Sequence, residues 1–317
     1  MASQTELGKA FEWACAHAIY DRGDAAYIES PQMSTARRCY AYLSAIEKLN
    51  YRKGAEAAVR IIERLEPRLF GMPDTLHIAL QTDAAGIAGD VRDVLCLRAG
   101  GWEIGLSCKH NHEAVKHSRL SDMIDFGRDW FGKKCSAQYF EDVRAVFGPL
   151  RRIRDESAEE GHPALWAEIH DKEQSCYVPV LNAFMIELER LDAEYPREIP
   201  ALLIRCLIGR NDFYKVIMNE RRRYTMIESV NINGSLNQRA GTRRALVDVP
   251  VMKLPTRFYE IGFKDGSANT IYVVCDQGWN VSMRIHNASS RVEPSLKFDV
   301  QLLAMPSSIL TQIEPWD

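Results

Sequence analysis

The sequence predicts a mixed α/β protein, and three observations carry that expectation. Up to residue 66, apolar residues recur at helical spacing behind recognisable caps. Residues 76–109 alternate apolar and polar side chains as strands do. From Tyr224 onward strand patterns dominate. Ser3-Gln-Thr-Glu6 reads as a capping box, and the Leu7, Phe11, Ala14, Ala18 stripe carries a first helix to about Tyr20. Ser30-Pro31 is an N-cap followed by a first-turn proline, opening a helix over 30–49. A third helix covers 55–66 and stops before Pro67. Strands follow at 76–82, 93–97 and 103–109, the last two joined by the turn Ala99-Gly-Gly101. Helices are expected at 112–120, 121–130, 137–147 and 180–191, then strands at 225–232, 257–263, 270–275, 281–286 and 298–303. This order divides the chain into a helical and catalytic core, 1–200, built around the hairpin 89–109, and a basic, β-rich part, 201–317, continuous with it.

With 46% hydrophobic and 26% charged residues in 317, the composition excludes disordered, collagen-like and coiled-coil classes. No apolar run approaches the ~18–20 residues that span a bilayer, and no charged-then-apolar leader opens the chain. The eight cysteines form no CxxC pair and lie mostly in apolar stretches, the usage of reduced core thiols in a cytoplasmic protein. The net charge of −3 hides an asymmetry. Residues 201–260 hold eleven Lys/Arg against five acids, whereas 151–200 hold twelve acids against six bases. A protein that grips a polyanion with one face shows such a split.

Chemistry concentrates in the hairpin. Alternate strand residues share a face, so Glu103, Ser107 and Lys109 point together, and pairing brings Asp93 near Ser107 and Lys109. An Asp on one strand and a short polar-x-Lys on the next suit Mg²⁺-assisted phosphodiester hydrolysis. The carboxylate holds a hard cation, and the lysine orients water or offsets developing charge. Asp90 offers a second oxygen ligand. Beyond it, Lys109, His110, His112, Lys116, His117 and Arg119 crowd one strand-to-helix junction that Asn111 caps, which favours an anion. An HNH-nuclease reading of His110-Asn111-His112 fails for want of a ββα-metal layout. A zinc site with Cys108 fails because alternation puts that thiol on the opposite face.

Several segments together resemble the HaeIII family of type II restriction endonucleases: Gly8-Lys-Ala-Phe-Glu12, Gly89-Asp-Val-Arg-Asp93, residues 103–121, Ile124-Asp-Phe-Gly127, and the block from Arg284 to Asp299. The resemblance spans nearly the whole chain. It implies a PD-(D/E)xK restriction-endonuclease-like core, Mg²⁺ dependence, and cleavage of double-stranded DNA at GGCC. It also implies a partner DNA methyltransferase that protects host sites. The motif falls on Asp93 for the metal-binding residue and on Lys109 for the lysine. Its acid is replaced by Ser107, and Glu103, Asp90 or Glu12 would stand in.

A GGCC site presents guanine O6 and N7 acceptors and the cytosine N4 donor to the major groove, which Arg/Lys and Asp/Glu respectively can read. Arg284 and His286 share a strand face, and Asn287, Ser289 and Arg291 follow in a polar loop, so this block is expected to contact DNA, with Lys297 beside it. Arg221 and Arg223, if extended, face the duplex together and touch phosphates, as His110, His112, Lys116 and Arg119 would. The rival class is a non-catalytic, sequence-specific DNA-binding protein on a decayed nuclease scaffold, with Ser107 marking a lost metal site. Response to divalent cation separates the two.

Overall fold

The computed structural model describes residues 3–82, 90–110, 117–304 and 306–316. Helix α1 (Gln4–Tyr20) starts at the expected capping box. The Glu6 N–H donates to Ser3 Oγ at 3.3 Å, and the Ser3 N–H donates to Glu6 Oε2 at 2.7 Å. The helix expected over 30–49 is two: α2 (Pro31–Ala41) ends before a second capping box, Ser44 with Glu47, which starts α3 (Ala45–Leu65) ten residues ahead of the expected position. The reciprocal Ser44–Glu47 bonds satisfy two free donors at once, so the chain restarts there.

The chain divides into two compact units: Met1–Glu113 with Gly209–Lys253 and Ser307–Asp317, and Ala114–Ile208 with Leu254–Pro306. These interleave in sequence, unlike the single boundary drawn at 200. A parallel strand pair in the first unit explains why. Its sheet runs β1 (Ala25–Tyr27), β2 (Leu76–Leu80), β3 (Val94–Arg98), β4 (Trp102–His110), β6 (Phe213–Asn219), β7 (Tyr224–Val230) and β12 (Thr311–Pro315), named in spatial order. β3–β4 is the expected hairpin, but β4 and β6 are parallel, which needs a long crossover rather than a turn. The residues between them supply much of the second unit.

One face of this sheet is core. Cys96, Ile104, Leu106, Cys108, Tyr214, Val216 and Met218 are buried in one cluster with Phe11, Cys15, Ala58 and Ile62 of α1 and α3. The other face carries Glu103, Gly105, Ser107 and Lys109 in alternation.

The second unit holds a five-stranded sheet ordered β5 (His117–Leu120), β11 (Leu296–Ala304), β10 (Asn280–His286), β9 (Thr270–Cys275), β8 (Phe258–Phe263). Its helices are α4 (Ala137–Glu159), α5 (Val178–Glu194) and α6 (Ile199–Ile208). Two expected helices give way here. The end of the one placed at 112–120 is strand β5, because Leu120, Arg119 and Ser118 pair with Leu296, Lys297 and Phe298. The one placed at 121–130 is a loop ending in a π-helical turn, Gly127–Phe131, since the Asp125 carboxylate takes the N–H groups of Arg128 (2.9 Å) and Cys135 (3.0 Å). Among the described residues no helix is long and apolar enough to cross a membrane, and all eight cysteines are free thiols.

Candidate active site

The hairpin register sets Val94 opposite Leu106 and Leu97 opposite Glu103, so the next residue outward, Asp93, faces Ser107. Backbone bonds pin it on both sides: its N–H donates to the Leu106 carbonyl at 2.7 Å, and the Gln81 N–H donates to its carbonyl at 3.0 Å. Three donors then meet on one carboxylate oxygen. Asp93 Oδ2 accepts the Cys108 N–H at 2.6 Å, the Ser107 hydroxyl at 3.4 Å and Lys109 Nζ at 3.4 Å. Oδ1 accepts nothing among the described residues. Burial pushes the Asp93 carboxyl above its usual range, and the Lys109 cation and the three hydrogen bonds pull it back only in part.

Arg92 organises the other two acids of the hairpin. It donates from Nε (2.8 Å) and NH2 (2.7 Å) to Asp90 and from NH1 (2.7 Å) to Glu103, and Gln81 Nε2 adds a bond to Asp90 at 2.6 Å. To reach Glu103 the arginine crosses Gly105, where a Cβ would lie 2.1 Å from Arg92 Cδ, so only glycine fits. Burial opposes ionisation of Asp90, yet the Arg92 bonds and charge hold its carboxyl below the usual range. Glu103 sits four residues, roughly 13 Å of strand, from Ser107. The fold therefore gathers Asp93, Ser107 and Lys109, and ties Asp90 and Glu103 to one guanidinium instead. Arg92 was not singled out in the sequence; the only signal for it was a basic residue between two acids.

Glu12 lies on α1, near enough to the Cys108 thiol for its charge to act there. Cys108 points at α1, and the hydrogen bond its S–H donates to Cys15, together with burial, pushes its thiol up, with Asp93 and Glu12 both adding to the rise. Among the described residues no three His, Cys, Asp or Glu converge as a ready metal cluster. An open oxygen at Asp93, with Glu12 acting on the same thiol, fits a hard cation that keeps several waters and takes phosphate oxygens. It does not fit zinc, which wants a closed set of N and S donors.

The other candidates are placed as follows. His110 ends β4 by its backbone, and His112 and Lys116 lie outside the described residues. Arg221 and Arg223 are not extended: they occupy the exposed turn between β6 and β7, with Arg223 at φ 52°. Since His110 pairs with Met218, that turn lies at the Lys109 end of the sheet. In the second unit Arg119 is paired with Glu293 at 2.5 Å and also donates to Ser295. Arg284 is exposed on β10 and pairs in register with Asp299. His286 Nε2 lies 2.8 Å from Asp299 Oδ2, and Lys297 Nζ lies 3.9 Å from Oδ1. Asn287 and Ser289 turn inward: Asn287 Nδ2 donates to the carbonyls of Ser289 (2.6 Å) and Arg291 (2.7 Å), and Ser289 Oγ donates to the latter at 3.2 Å. They close the loop, while the Arg291 side chain stays exposed.

A sequence model of the HaeIII restriction endonuclease family matches residues 8–306. The type II restriction enzyme HaeIII of Haemophilus aegyptius is 39% identical over 281 residues, covering 88% of this chain and 86% of that protein. No solved structure matches the chain.

Proposed function

The chain belongs to the HaeIII restriction endonuclease family, and on that premise we propose that it is a type II restriction endonuclease. It hydrolyses phosphodiesters of double-stranded DNA within GGCC, depends on Mg²⁺, and works in the cytoplasm beside a methyltransferase that protects the same sites. The core is then of the PD-(D/E)xK kind, with the first unit cutting and the β10–β11 region of the second reading bases. The observation that carries this reading is the Asp93 corner, where a half-buried carboxylate is gripped on one oxygen and open on the other, with a lysine ammonium 3.4 Å away.

When bound, Mg²⁺ supplies Lewis acidity, polarising the phosphate and acidifying a water. The chain's own residues do the positioning. Asp93 would hold the ion through Oδ1, while the Cys108 N–H and the Ser107 hydroxyl keep Oδ2 in place. Lys109 leaves Asp93 for a phosphate oxygen and orients the attacking water. That water's oxygen bonds to phosphorus as one P–O ester bond breaks. Water gives up a proton, and the leaving oxygen gains one. Glu12 is the acid that serves in place of the one missing at Ser107, because Arg92 already engages Asp90 and Glu103.

Digestion of unmethylated phage DNA by the purified protein, with Mg²⁺ and with EDTA, tests the proposal. A discrete Mg²⁺-dependent ladder whose ends fall within GGCC is the expected result. Intact DNA in both lanes, with a mobility shift on a GGCC duplex, would contradict it and favour the binding-protein reading.

A further inference from the structure

Lys215 lies in the middle of β6, in the apolar run Phe213-Tyr-Lys-Val-Ile-Met, where a lysine is out of place unless paired. Its partner is Glu228 of β7, with Nζ 3.2 Å from Oε2 and side chains only 14% and 9% exposed. The pair is as covered as the Arg92–Asp90 pair of the same unit, at 8% and 17%, whereas Arg52 with Glu56 lies on the surface at 62% and 49%. A covered pair of this kind contributes little net stability, because desolvating two charges costs about what their attraction returns. The register gives it a context. Ser107 pairs with Lys215, and Lys215 pairs with Glu228, so Asp93, Ser107, Lys215 and Glu228 form one row across four strands. In-register neighbours project to one face about 4.8 Å apart. Lys215 therefore stands one strand from the serine at the missing-acid position and two from Asp93, on the face that carries Lys109. Because residue 107 is a neutral serine, no carboxylate there competes for the ammonium, and Glu228 is what holds it.

Resting on the nuclease reading above, we propose that Lys215 is a second catalytic lysine, which contacts the scissile phosphate and stabilises the charge that builds on it, with Glu228 as the positioning residue that stores and aims it. The pair holds the ammonium in place before DNA arrives. Lys109 and Lys215 then flank the phosphate from two adjacent strands, and no bond to either lysine forms or breaks.

The test is single-turnover cleavage of a GGCC duplex with Mg²⁺, beside the equilibrium Kd for the same duplex. The key variant is the double exchange Lys215→Met with Glu228→Gln, which removes both charges and avoids leaving one buried alone. The expected result is a cutting rate down about a hundredfold, the scale of losing one charge-stabilising donor, with Kd unchanged. Lys215→Arg, which keeps the charge and the pair, should recover most of that rate. A neutral double variant that cuts like wild type overturns the assignment. So does Lys215→Arg cutting no faster than the neutral double variant, or a neutral double variant that does not fold, since the pair would then be structural. A wild-type protein that cuts nothing would instead bring down the nuclease reading, and this inference with it.

Discussion

At the Asp93 corner three donors converge on one carboxylate oxygen and leave its other oxygen open, with Lys109 poised beside it. In the loop after β10 the polar groups are turned on themselves, Asn287 and Ser289 spending their donors on the carbonyls of Ser289 and Arg291. Both stretches are dense in hydrogen-bonding residues, and both read as contact surfaces from composition. The difference teaches that polar density does not mark a working surface. What marks one is a charged group that its neighbours hold without consuming. By that criterion Arg284, exposed on β10, is the residue expected to read bases in its region under the proposed function, with the loop as its frame.

The strongest way to break the comparison is to remove the poised groups. Lys109→Ala is expected to slow cutting by at least about a thousandfold, roughly 4 kcal/mol of barrier, while salt-sensitive DNA binding persists. Rates and Kd measured on one duplex check this, and joint loss of binding would remove Lys109 from the chemistry.

Glu66 sharpens the comparison as a buried carboxylate of the other kind. It accepts the Tyr214 hydroxyl and the Asn237 N–H, each at 2.6 Å, and has no open side toward solvent. Burial pushes its carboxyl up to about 7 against those two bonds, from an ordinary 4.5. A carboxyl raised in the folded state binds its proton more tightly there. Stability is therefore full below about pH 4.5 and falls as pH rises to about 7, by roughly 3 kcal/mol. Glu66→Gln should flatten that fall in urea melts taken across this range. An unchanged pH slope would show that Glu66 is ionised without cost.

In the second unit, Arg284→Ala and Asn287→Ala should separate reading from framing. The first is expected to cost roughly 1–3 kcal/mol of discrimination and to admit sites one base away from GGCC. The second should lower the melting temperature through loss of two loop bonds, about 1 kcal/mol, and leave the cleavage pattern intact. Identical cleavage patterns from both variants would erase the distinction. Smallest is the turn between β6 and β7. Replacing Arg221 and Arg223 by Gln should weaken all duplexes alike and reduce the salt slope by about two, read from binding at several salt concentrations.

Local signals carried much of this from the sequence alone. The α1 capping box, the Gly100-Gly101 turn and the alternation through Ser107 and Lys109 depend on neighbours a few residues away, and each lies where the pattern put it. What was hidden depends on distant partners. The stretch around Arg119 reads as helix by composition, yet pairing with Lys297 makes it strand. β1 is three residues long, and β12 is a strand only because β7 lies beside it. The tie of Asp90 and Glu103 to Arg92 needed the empty space over Gly105, and the burial of Lys215 needed the β4–β6 crossover. Neither leaves a mark on local periodicity.

The central claim, that the Asp93 corner cuts while other surfaces bind, is tested most directly by Asp93→Asn, which keeps the side-chain shape and removes the charge. On a GGCC duplex in Mg²⁺, the account predicts binding close to wild type and no measurable cleavage in single-turnover conditions. Cleavage at the wild-type rate would contradict it.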